Sequence, residues 1–81
     1  MSSHNDTNLI HMTNQIAANL DGGRDEEAAA AATCRHLETF WARSMKQRLV
    51  ATLVREDTEL SPLARRAVIM LEEKLVKQQA S

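Results

Sequence analysis

The residues able to do chemistry are few, and their spacing keeps them apart. Cys34 is the only cysteine and His4, His11 and His36 are the only histidines. A metal site needs such side chains converging at ligand spacing. Cys34 and His36 are two apart in a helical stretch, so they point in different directions. His4 falls in a polar start and His11 on the polar side of the first helix. Cys34 as a nucleophile would need an adjacent base and an activating environment. Its apolar neighbours read instead as a buried structural thiol. The carboxylate pairs Glu26-Glu27 and Glu72-Glu73 are sequence neighbours on helix starts or solvated helix faces. Acid–base work would require a pocket that perturbs them. Gly22-Gly23 lacks the following lysine and hydroxyl of a phosphate loop. The expectation is a chain with no catalytic residue, no metal site and no cofactor of its own.

Bulk properties bound the remaining possibilities. Eighty-one residues make one domain with a thin core. A lone cysteine excludes an intrachain disulfide and suits a reducing cytoplasm. A net charge of -1 gives no basic excess for nucleic acid. Phe40 and Trp41 are the only aromatics, too few for stacking bases. No apolar run approaches the roughly 20 residues that span a bilayer, and the polar start has no signal-peptide pattern.

The elements that must position these residues are helices. Residues 1–7 read as a disordered tail, 8–78 as a single helical domain and 79–81 as a short C-terminal tail. The first helix is expected over roughly Asn8–Leu20, capped by Asp6 or Thr7, with Leu9, Met12, Ile16 and Leu20 as its apolar face. Asp21-Gly22-Gly23 ends it, because glycine takes the left-handed conformation at low cost. The second is expected over roughly Glu26–Ala42 with Asp25 as cap. Ala30, Thr33, Cys34, Leu37, Phe40 and Trp41 share its apolar face. Ser44 and Gln47 fit a capping box, which places a break near Arg43 and a third helix over roughly Met45–Glu56. Its apolar arc is Met45, Leu49, Val50, Leu53 and Val54. Asp57-Thr58-Glu59 is a connector. Ser61-Pro62 starts a fourth helix, with Ala64, Ala67, Val68, Leu71 and Leu75 facing inward. The expected fold is all-α, a small bundle of three to four short antiparallel helices. Ile69 and Val76, one heptad apart, lie on the far side of the fourth helix. They are candidates for contact with another protein or with a second copy in a homodimer.

Three segments carry a family resemblance: Leu9-Ile10-His11-Met12-Thr13-Asn14-Gln15-Ile16, Phe40-Trp41-Ala42-Arg43-Ser44-Met45 and Leu60-Ser61-Pro62-Leu63-Ala64-Arg65-Arg66-Ala67. In this order and spacing the chain resembles the delta subunit of the soluble NAD-dependent molybdenum or tungsten formate dehydrogenases of bacteria. One departure is Arg43, where that family usually has proline two places after the tryptophan. The resemblance implies a cytoplasmic accessory subunit that carries no cofactor and supports assembly or stability of the alpha subunit. Molybdopterin, iron–sulfur clusters, FMN and NAD would belong to the partner subunits. The residues then expected to meet the partner are Asn14 and Gln15, within a matching segment but off the apolar face. Trp41 and Arg43 join them as types enriched at interface hot spots, although Trp41 also suits the core. Ile69 and Val76 complete the set.

Overall fold

The computed structural model of the chain describes residues 4–54 and 59–80. These form four α-helices and one short 3-10 turn: α1 (His4–Asp21), α2 (Glu26–Phe40), α3 (Arg43–Ala51), the turn Thr52–Val54, and α4 (Pro62–Ala80). The described residues are all-α, a small helical bundle with a Cα radius of gyration of 12.0 Å. A core of leucines, alanines and valines runs between the helices and includes Leu9, Leu37, Trp41, Leu49, Val68 and Leu71.

Local chemistry explains most of the boundaries. Gly23 takes φ 84, where only glycine is unstrained, and the Arg24 N–H donates to the Asp21 carbonyl at 2.7 Å. This reverses the chain between α1 and α2. Asp25 caps α2, its carboxylate accepting from the Ala28 N–H at 2.7 Å. Ser61 caps α4 by accepting from the Ala64 N–H at 3.2 Å, and Pro62 occupies the first helical position, where its missing N–H costs nothing. The expected inner face of α4 is the observed one, with Ala64, Ala67, Val68 and Leu71 fully buried and Leu75 nearly so. Pairs Glu27–Arg66 and Glu38–Lys74 link α2 and α4 in the same sense along both helices. Exposed pairs of this kind contribute about 0–1 kcal/mol each, so apolar packing holds these two helices together.

Several expectations are corrected. Helix α1 starts at His4, not Asn8, and takes in residues 4–7 that read as tail; Asp6 lies in its first turn and pairs with Arg48 of α3 at 3.4 Å. Helix α4 likewise extends to Ala80. The buried line of α1 is Leu9, Ile10, Thr13 and Ala17, whereas Met12 is 44% exposed. The sequence pattern scores Thr13 as polar. Its hydroxyl donates back to the Leu9 carbonyl at 2.7 Å, so it packs as an apolar residue would. Thr33 and Thr52, also buried, do the same with the Ala29 and Leu49 carbonyls.

The expected capping box is not formed. Ala42 is the N-cap of α3 and has no side-chain cap bond, while Ser44 is exposed inside the first turn. Helix α2 ends at Phe40, and Trp41 and Ala42 are extended, with φ/ψ of -95/143 and -64/152. The break therefore comes ahead of the hydroxyl that could have capped it. Val54, expected in the core arc, is 87% exposed, because the chain tightens into a 3-10 turn that rotates side chains by about 120° per residue rather than 100°. The expected end of the third helix at Glu56 and the connector residues Asp57 and Thr58 lie outside the described residues.

Candidate functional site

The side chain of Asn14 hydrogen-bonds helix α1 to the segment leading into α4. Asn14 is half-buried on α1. Its amide nitrogen donates to the Glu59 carbonyl at 2.9 Å, and its amide oxygen accepts from the Ser61 N–H at 2.8 Å. An amide satisfies a backbone donor and acceptor two residues apart in the way a neighbouring strand would. The residue between them, Leu60, is 9% exposed and packs into the core. The clamp thus holds Leu60 inward and sets Ser61 to cap α4. Asn14, expected off the apolar face and facing a partner, uses its amide inside the fold. Gln15, its neighbour, faces solvent.

Beside the clamp lies an open groove of ≈ 450 Å³ lined by Asn14, Ala17, Ala18, Asp21, Glu26, Ser61, Pro62 and Leu63. It brings two carboxylates near a hydroxyl, but Ser61 Oγ is committed to capping α4. Among the described residues no histidine or lysine lines the groove to serve as a base. Cys34 is buried and its thiol is pushed up to about 11. Desolvation is the main cause; the nearby Glu38 carboxylate adds to it and the Lys74 ammonium opposes it. A thiol held protonated in this way is a poor nucleophile and a poor ligand. Among the described residues no group of three or more His, Cys, Asp or Glu could hold a metal ion. Among them, too, no helix is long and apolar enough to cross a membrane.

Of the two aromatics expected on the apolar face of α2, one is in the core and the other is not. Trp41 is 8% exposed in the core, and Phe40 is 72% exposed. At about 100° per residue Phe40 points within about 20° of Thr33 on α2, so it lies on the inner face of the helix. Phe40 is the last residue of α2, and the chain leaves the helix at Trp41. Leaving the helix lets Trp41 turn its ring inward, and Phe40 overhangs the end of the bundle. Its ring contacts His36 with centroids 4.8 Å apart and planes tilted by 44°. Arg43, three residues on, is exposed at the first position of α3. That is the position where proline fits without strain, and the break is present here with arginine in its place. Ile69 and Val76 are 42% and 58% exposed on the outer side of α4.

Of the six residues expected to meet a partner, four (Gln15, Arg43, Ile69 and Val76) face solvent, while Asn14 and Trp41 act inside the fold. Sequence reasoning missed Phe40 as a surface residue. The signal for it lay in the resemblance, which implies a proline two places after Trp41 and so a helix start there, with a helix end just before it.

Fold and site together define a small all-helical protein whose described polar groups serve caps, an internal clamp and surface pairs, with several large apolar side chains left in solvent. The family described as NADH-dependant formate dehydrogenase delta subunit FdsD matches residues 8–68. The chain belongs to that family. The match takes in the Asn14–Ser61 clamp and the Phe40–Arg43 corner, and it ends just before Ile69. No curated protein and no solved structure matches the chain.

Proposed function

We propose that this chain is a non-catalytic accessory subunit of a cytoplasmic NAD-dependent formate dehydrogenase. It docks on the alpha subunit and supports assembly or stability of that molybdenum-cofactor-bearing partner. The observation that carries the reading is membership of the delta-subunit family over residues 8–68. Met12, Phe40, Val54, Ile69 and Val76 stand exposed, and such surplus apolar surface suits a part that works by being bound. Molybdopterin, iron–sulfur clusters, FMN and NAD belong in this reading to the other subunits.

Co-expression tests it. A tagged chain produced with the other subunits should bring the alpha subunit through purification at ordinary salt. Deleting the chain should lower the yield of assembled, molybdenum-loaded enzyme and leave turnover per loaded molybdenum unchanged. Unchanged yield, or altered turnover at full loading, would refute an assembly role.

Exposure of Ile69 and Val76 favours a second reading, a homodimer of the free chain. Two side chains fall well short of the ~800 Å² per partner typical of a stable interface. A monomer by light scattering at high micromolar concentration would exclude it, and if a dimer forms, Ile69→Glu should break it.

A further inference from the structure

We infer that the corner between α2 and α3, centred on Phe40 and Arg43, is the surface that docks, and that it fits an apolar pocket rimmed by carboxylates on a partner subunit. The inference rests on the accessory-subunit reading above and adds to it a place and a chemistry.

Three observations at this corner agree. Phe40 overhangs the bundle 72% exposed, supported on one side by the His36 ring at 4.8 Å. An aromatic already held against a neighbour loses little rotamer freedom when a pocket closes on it, which favours it as an anchor. Arg43 has no ion pair or side-chain hydrogen bond among the described residues. It also sits at the positive end of the α3 dipole, where a cation is unfavourable and where the first turn carries no acidic residue. Among the described residues no carboxylate pairs with that charge, whereas an outside carboxylate would offset it. Finally, residues 35–48 carry four cations and one carboxylate in a chain whose net charge is -1. The one carboxylate, Glu38, pairs with Lys74 at 3.3 Å. Arg48 pairs with Asp6 at 3.4 Å, so the positive excess at the corner rests on Arg35, Arg43 and Lys46, and its complement is acidic.

The outer side of α4 competes less well. Ile69 and Val76 are separated by Glu72 and Glu73, and both lie beyond residues 8–68.

The test is retention of tagged variants on the co-expressed formate dehydrogenase subunits, quantified against salt. Phe40→Ala should lower apparent affinity at least about tenfold, and Arg43→Glu should do likewise. Arg43→Gln should bind more weakly and with a shallower salt dependence, because one charge contact is gone. Ile69→Ser and Val76→Ser should be retained like the parent chain. Circular dichroism should show all these variants folded, since each altered side chain is exposed. Full retention of folded Phe40→Ala and Arg43→Glu would overturn the inference and leave the accessory-subunit reading standing. Failure of the parent chain to be retained would remove both. Self-association of the isolated chain, or its binding to phosphatidylserine vesicles, that disappears in Phe40→Ala would also overturn the inference, by assigning the corner to a second copy or to a lipid surface.

Discussion

Replacing Asn14 by alanine tests whether the fold depends on the clamp. The substitution removes two hydrogen bonds, of 2.9 Å to the Glu59 carbonyl and 2.8 Å from the Ser61 N–H. Each such bond contributes about 0.5–1.5 kcal/mol net, and a buried partner left unpaired costs about 1–3 kcal/mol. Glu59 is exposed, so water can replace the amide at its carbonyl; Ser61 is half-buried, so its N–H is only partly compensated. The expected loss is then about 1.5–2.5 kcal/mol. In a domain of this size each kcal/mol moves the midpoint by about 4–8 °C, so the melting temperature should fall by roughly 6–20 °C. Thermal and urea unfolding followed by circular dichroism would measure it, with Gln15→Ala as the exposed control within about 0.5 kcal/mol of the parent. Asn14→Asp separates the two bonds. It keeps an acceptor for the Ser61 N–H but places a carboxylate against the Glu59 carbonyl, so it should be destabilised and should recover in part as the carboxylate is protonated at low pH. An Asn14→Ala chain as stable as Gln15→Ala would refute the clamp.

Other substitutions probe the rest of the fold. Ser61→Ala and Asp25→Ala should each cost about 0.5–2 kcal/mol in urea melts, because each removes a helix cap. Trp41→Ala should cost about 3–5 kcal/mol while Phe40→Ala stays within about 0.5 kcal/mol of the parent, a contrast that reverses if the two rings are placed the other way round. Arg43→Pro should raise stability by about 0.4–1 kcal/mol, since Ala42 already has the extended backbone that proline requires before it; it should weaken docking at the same time. The raised Cys34 pKa sets a pH dependence. Between the ordinary value of 9.0 and about 11 the unfolded chain loses the thiol proton and the folded chain keeps it, so stability falls as pH rises through that window. Denaturant melts from pH 8 to 11 should show a shallower decline for Cys34→Ala than for the parent, and equal slopes would contradict a buried, neutral thiol.

What the sequence determined by itself was the local chemistry. Asp25 and Ser61-Pro62 start helices, and Gly23 ends one, because each acts on backbone groups within four residues of itself. The inner face of α4 was legible because its apolar residues repeat at helical spacing over three turns and more. The family was legible too, from short segments and their order, and it holds over residues 8–68. Tertiary structure decided the rest. The Asn14 clamp joins residues 45 and 47 positions apart, and no periodicity on α1 reveals where the entry to α4 will lie. Thr13 became core because a hydroxyl that returns its hydrogen bond to its own helix costs little to bury, a fact invisible to a polar–apolar pattern. The places of Phe40 and Trp41 turned on where α2 ends, at Phe40 rather than at the expected Ala42. Periodicity gives the direction of a side chain around its helix axis, but only packing sets how far along that axis the core extends. For that reason the sequence put Phe40 on the right face of α2, and the end of the bundle left it in solvent.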